Sequence, residues 1–299
     1  MKSTAIGYAF ALLAFVVFSA QDGVSKHLGA AYPAVVVAMI RYWAFAAFAI
    51  LLAMRGRGGL SVAIKSKRPF LQIFRGLLLA SQIPIAINAF TLVGLAQSQA
   101  IFASGPLIVA LLSVPILGEK VGWRRWTAIG VGFCGVLLIL GPTGASFNVL
   151  VVLPLIVAFI GAIYGLTTRL VSRVDGPTTS FFYIGVVGAV ALTIAGPFFW
   201  VEIAPEDWKW MLFLCFTGIV GHYSLIKAYE NLNAVVVQPI SYLQLVLASG
   251  IGVVIFGETL RLNMVVGAII VVAAGIFTAW REHVVLRRNR ELAALDPNG

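Results

Sequence analysis

The polar residues equipped for chemistry in this 299-residue chain are few, and most sit inside long apolar runs. His222 lies in GIVGHYSLIKAYENL, and a histidine at that depth is the side chain able to titrate near neutrality. It either lines a pathway or bonds a neighbouring helix as a neutral imidazole. Arg41, in AMIRYW, either attracts a carboxylate or serves a structural partner. Gln82 and Asn88 share one run, and Gln238, Ser241, Tyr242 and Gln244 share a later one. For each, an interhelical hydrogen bond competes with a place in a cavity. Together they predict a weakly polar pocket in which Gln82, Asn88, His222, Tyr242 and Gln244 meet substrate. Phosphate-bearing cargo would call for clustered Lys and Arg at that depth, and only Arg41 is on offer. A neutral, zwitterionic or aromatic small solute fits better.

Other chemistries find no constellation. His27, His222 and His283 are scattered, with no HExxH, GxSxG or phosphate loop, so neither an enzyme nor a metal or cofactor site is expected. Gly130-Val-Gly-Phe-Cys-Gly135 satisfies GxGxxG, but no strand precedes it and no acidic residue follows at the spacing a dinucleotide requires. Those glycines, like Gly161 and Gly165, are read as close helix packing. Cys134 and Cys215 read as small core residues.

The elements that hold these residues follow from composition. Hydrophobic residues make up 61% of the chain and charged ones 11%, with mean hydropathy +1.00; a soluble domain carries about 25% charged residues. Charges act as punctuation between apolar runs. Gly76 to Gly118 and Trp126 to Thr168 are uncharged, and each is long enough for two crossings at the ~20 residues a bilayer requires. Turns are expected around Asn88 to Gln99 and at GPTGASFN. Single spans are expected near Ser3–Gln21, Pro33–Met54, Pro177–Val201, Trp208–Glu230, Asn231–Phe256 and Leu262–Trp280. That makes ten helices in an all-α polytopic membrane protein. The first run lacks the features of a cleaved signal, because Phe18 stands where a small residue is needed. With the N-terminus in the cytoplasm, all of the 21 basic residues but Lys26, Arg41, Lys209 and Arg261 fall on the cytoplasmic side. Both termini are therefore placed inside, and the net charge of +10 is assigned to lipid headgroups rather than to nucleic acid. No carboxylate is expected in mid-span, which leaves downhill flux or a proton link through His222 as the energetic options.

One phrase is written twice. At one constant offset, Ala89, Gln99, Ile101, Val114, Ile116, Gly118 and Glu119 recur as Ala228, Gln238, Ile240, Val253, Ile255, Gly257 and Glu258. Five helices per half is an odd number, so the second half would enter the membrane from the opposite side. That is an inverted repeat, a layout found in secondary transporters. The expected units are residues 1–141, residues 142–283, and a cytoplasmic tail, 284–299.

Pro106, Gly118-Glu119 and the glycines Gly130, Gly132 and Gly135, with Gly257-Glu258, Gly267 and Gly275 in the second copy, resemble the drug/metabolite transporter superfamily. The likeness is to its ten-helix EamA-type members, and among these to the YddG-type exporters of aromatic amino acids. Leu245 stands where the first copy has Pro106, with Pro239 nearby. Arg41 matches the family's second-helix arginine, which favours a structural role, and Lys26 its lysine ending the first helix. The resemblance implies a monomeric carrier of the bacterial inner membrane that exports a small metabolite by alternating access. It also implies an aromatic cavity residue near Tyr164, and Gly118, Glu119, Gly257 and Glu258 as corner-fixing residues. The alternatives are export of other small metabolites or drugs, or a channel or lipid scramblase.

Overall fold

In hydrocarbon every backbone N–H and C=O must find its partner within the chain, and helices achieve this locally. The computed structural model is helical over most of its described residues. It describes residues 2–56, 58–117, 122–141, 149–171, 174–232 and 234–295. The expected corner at Gly118 and Glu119 and the turn at GPTGASFN lie outside these residues, as does the side chain of Gln238.

The helices, in order, are α1 (Lys2–Ala31), α2 (Ala34–Arg55), the short α3 (Gly59–Ala63), α4 (Pro69–Leu92), α5 (Leu95–Phe102), α6 (Gly105–Leu117) and α7 (Trp123–Leu140). They continue with α8 (Val152–Val171), α9 (Pro177–Ala195), α10 (Trp208–Asn231), α11 (Ala234–Phe256) and α12 (Leu262–Leu295). Eight stretches are long and apolar enough to cross a membrane, with α5 and α6 together forming one of them. With α10 and α11 they give the ten long segments that the charge pattern predicts. The turn expected between Asn88 and Gln99 falls at Val93 and Gly94.

Two boundaries need correction. The first helix does not stop near Gln21 but continues to Ala31, so Asp22 and Lys26 lie inside a span. The last helix runs on through its basic stretch to Leu295. The fourth crossing is interrupted at Ala103 and Ser104, just before Gly105-Pro106, whereas α11 is continuous from Ala234 to Phe256, so Pro239 does not break it.

The outer surface is built for lipid. Val254, at 83% exposure, and Phe198, at 84%, are joined by exposed Ile194, Phe216, Val246 and Ile269, a density of exposed large apolar side chains that suits lipid rather than water. Five exposed tryptophans lie at helix ends, Trp200, Trp208 and Trp210 around the α9–α10 connection and Trp123 and Trp126 at the start of α7, while Trp43 and Trp280 lie within α2 and α12. Aromatic rings favour the headgroup level in this way.

The long helices pack in a few extensive pairs. α1 packs on α10 as α8 packs on α4, and α1 meets α11 as α8 meets α5 and α6. α2 packs on α9, and α7 on α12. The last contact explains the glycine motif. A Cβ on Gly135 would sit 2.8 Å from the Gly267 carbonyl oxygen, and one on Gly267 would sit 2.5 Å from that of Gly135. Gly132 is closed off by Leu107, while Gly130 faces open space. Two of the three GxGxxG glycines thus serve close helix contact.

Polar clips hold the rims. Asp175, before α9, accepts hydrogen bonds from Ser66 Oγ, the Lys67 amide and Gln72 Nε2, joining the α4 entry to α9. Partial burial raises the Asp175 carboxyl, but those three donors outweigh it and leave the group below its ordinary value. At the end of α1, Tyr32 donates to Asp207 Oδ2 at 2.6 Å and accepts from the Ala204 amide at 3.1 Å, and the donated bond raises its phenol.

Replacing Gly135 with Leu should force α7 and α12 apart and cost about 1–3 kcal/mol. The expected outcome is a lower thermal midpoint in detergent for Gly135→Leu, with Gly130→Leu unchanged, measured by fluorescence-detected gel filtration.

Candidate functional site

A cavity of about 400 Å3 is walled by α1, α2, α4, α5, α6, α8, α10 and α11. Its volume falls in the range of about 300–1,000 Å3 typical of small-molecule sites. Helical spacing explains what α1 contributes: Phe18, Gln21, Asp22 and Ser25 share one face and all line the space. Phe90 from α4 and Phe102 from α5 stack at 5.7 Å between centroids, and with Phe18 they give the wall its aromatic surface. On α8, Gly161 leaves room for Gln82, whose amide nitrogen would lie 2.8 Å from a Cβ placed there.

Asp22 is 7% exposed and anchors the polar end. Its Oδ2 accepts two amide hydrogen bonds, from Gln99 Nε2 of α5 at 2.7 Å and Gln244 Nε2 of α11 at 2.6 Å. A carboxylate in this setting is tolerated because charged acceptors form the stronger hydrogen bonds. The expectation that no carboxylate lies in mid-span is therefore wrong. The charge had been taken as the end of the helix, but two glutamines from distant helices allow it to stay inside.

One turn further along α1, Lys26 pairs with Glu258 and lies over the Phe256 ring at 4.6 Å. Glu258 caps α5, accepting from the Leu95 amide at 2.6 Å and the Ala96 amide at 2.8 Å, where a negative group also complements the helix dipole. The Gly-Glu phrase now has a local cause. Gly257 takes φ +65, a left-handed conformation that ends α11 and turns the chain so that Glu258 folds back onto α5. A Cβ on Gly252 would meet Glu258 Oε2 at 2.9 Å, so that residue must be small as well.

Arg41 is 8% exposed and reaches the cavity from α2. No hydrogen bond or ion pair joins it to another side chain among the described residues. Beside it a recess of about 20 Å3 is lined by Arg41, Tyr42, Cys215 and His222. Gly218 of α10 makes room: a Cβ there would stand 3.4 Å from Gln21 Oε1 and 3.6 Å from Arg41 Nη2. His222 also lines the cavity, its ring edge-on to Phe18 at 5.2 Å and Phe45 at 5.5 Å.

Of the expected substrate-contacting residues, Gln82, His222 and Gln244 come together here, with Ser241. Three do not line the cavity. Asn88 is exposed on α4. Tyr164 packs by the Arg75 guanidinium at 5.6 Å, and Tyr242 is buried against Gly275 of α12. Sequence reasoning missed Asp22, Gln21 and Ser25. The signal available for them was their shared helical face with Phe18, which ending the helix at Gln21 concealed for Asp22 and Ser25. Gln99 had drawn notice only as a repeated letter. No group of His, Cys, Asp or Glu suited to a metal occurs among the described residues.

The model of the EamA-like transporter family matches residues 5–141 and again 148–280. The chain belongs to the EamA-like transporter family. Among its relatives, an S-adenosylmethionine uptake transporter of Rickettsia felis is 26% identical, the alignment covering 97% of this chain and 98% of the relative. A riboflavin transporter of Vibrio cholerae is 31% identical over 66% of each chain, and a pseudopaline exporter of Pseudomonas aeruginosa is 25% identical over 90% and 94%. A solved crystal structure superposes with TM-score 0.62 at 17% identity, covering 93% of this chain and 97% of the other, which shows a shared fold. This EamA protein is thus a multi-pass membrane transporter and not an enzyme. Its likeness extends to carriers of several small metabolites and is not specific to exporters of aromatic amino acids.

Proposed function

We propose that this EamA protein is a secondary transporter that carries a small neutral or zwitterionic metabolite of amino-acid type across the bacterial inner membrane by alternating access. The cavity carries this reading: it is central, aromatic-walled, and holds one carboxylate and one guanidinium, with no cluster of cations for phosphates. Relatives named for S-adenosylmethionine and riboflavin support cargo that combines a flat ring with polar groups. Relatives named for uptake and for export both exist, so direction follows the gradients rather than the fold; export of amino acids is the direction favoured here.

For the mechanism we infer two five-helix units, residues 1–141 and 142–283, seated in opposite senses, followed by the tail 284–299. The twofold match of the family model and the exchange of packing pairs between halves support it. Each unit would close one side of the shared cavity in turn. The basic residues support cytoplasmic termini. The chain is read as a monomer whose partners are its solute and membrane lipids.

Purified protein in liposomes preloaded with unlabelled solute should take up labelled solute in a saturable, trans-stimulated manner for at least one of phenylalanine, methionine, S-adenosylmethionine and riboflavin. Flux that never saturates would indicate a channel or scramblase instead. In a Cys134→Ser, Cys215→Ser background, Lys120→Cys and Thr259→Cys should react with an impermeant maleimide from opposite faces of sealed vesicles. Labelling of both from the same face would contradict the inverted arrangement.

A further inference from the structure

We propose that Asp22 and Arg41 together form a two-point receptor for the head of an α-amino acid, Asp22 taking the ammonium and Arg41 the carboxylate. The proposal rests on the transport reading above and deepens it.

The first observation is the way Asp22 is held. Both described hydrogen bonds to its carboxylate end on Oδ2, from Gln99 and Gln244. Two amide donors from separate helices fix the carboxylate plane, while no described donor reaches Oδ1. The residue lines the cavity, so its remaining capacity as an acceptor is directed there. An ammonium group, with three N–H donors and a positive charge, matches an anionic oxygen already fixed by its neighbours.

The second observation concerns Arg41. Its guanidinium offers five donors in a planar fork suited to a carboxylate. It is more than nine-tenths buried, lines the same cavity, and has no bonded partner among the described residues. A buried charge without a partner is costly, and residues of this kind inside membranes mark sites where a partner arrives. Asp22 lies near enough to act on it electrostatically, but the two side chains do not close into an ion pair, so the guanidinium keeps its donors for a ligand carboxylate. A ligand carrying one charge of each sign satisfies both groups at once and leaves the occupied cavity electrically neutral.

The third observation is what surrounds the pair. Gln21 Oε1 is buried without a hydrogen-bond partner and faces the same gap over Gly218 as Arg41 Nη2. That acceptor lies beside the guanidinium and adds a polar group at the head end of the cavity. Phe18, Phe90 and Phe102 then supply an apolar, ring-stacking wall for the part of the ligand beyond its head.

The test uses counterflow in liposomes with phenylalanine, methionine and S-adenosylmethionine as labelled probes and riboflavin as a probe without an amino-acid head. The zwitterion that exchanges is then compared, as competitor, with its own carboxamide and its own desamino acid. In the unaltered protein each loss should weaken competition by about tenfold or more, as expected for a lost charged hydrogen bond. Asp22→Asn should abolish the discrimination against the desamino acid and keep that against the carboxamide, and Arg41→Gln should do the reverse. Asp22→Glu and Arg41→Lys, which keep the charges, should restore part of each effect, and thermal midpoints in detergent identify any variant that fails to fold. If the unaltered protein does not discriminate, or if each variant weakens both analogues alike, the receptor assignment is overturned. If only riboflavin exchanges, transport stands and this proposal falls. If nothing exchanges, the transport reading falls and this one with it.

Discussion

A carboxylate withdrawn from water needs hydrogen bonds and a counter-charge, and Glu258 obtains both at a single point where three helices meet. It comes from the corner after α11, caps the first two amides of α5, and pairs with Lys26 of α1. One turn away on α1, Asp22 binds Gln99 of α5 and Gln244 of α11. The same three helices are therefore tied twice, once at their rim and once at the cavity. Without the first knot, α5 would begin with unsatisfied amides, and Gln99 would have no fixed position from which to hold Asp22.

Beyond that junction the Asp175 clip ties the α4 entry to α9, and Arg75 of α4 donates to the Ser180 carbonyl of α9. Elsewhere the helices approach through small residues, as at Gly135 and Gly267, or through a ring laid on a glycine, as where Tyr42 occupies the space beside Gly188. Such contacts depend on van der Waals fit and are individually weak. A bundle tied at such polar points and packed along glycine seams between them can rock without unfolding. The break between α5 and α6, beside Pro106 on the cavity wall, adds a point of articulation that the continuous α11 lacks.

Much of this could be read from the chain itself, for reasons tied to particular residues. Apolar runs bounded by charge give helices because hydrocarbon leaves the backbone no alternative. The Gly-Glu phrase could be noticed because Gly257 is needed for a left-handed turn and Glu258 for a cap, and neither role admits a ready substitute. The face of a helix was harder. α4 and α11 have only weakly distinguished faces, so periodicity carries little information about which way Asn88 or Tyr242 points. Asp22 was lost for another reason. A charge normally ends a span, and the two glutamines that permit it to stay come from residues far away in sequence.

The most direct test of the junction is a double-mutant cycle on Lys26→Met and Glu258→Gln, read from reversible unfolding in detergent. Each single change leaves a largely buried partner uncompensated and is expected to cost about 3 kcal/mol or more, while the double variant should lose no more than the worse single. Losses that simply add would show that Lys26 and Glu258 act independently, and that the bundle is organised around some other contact.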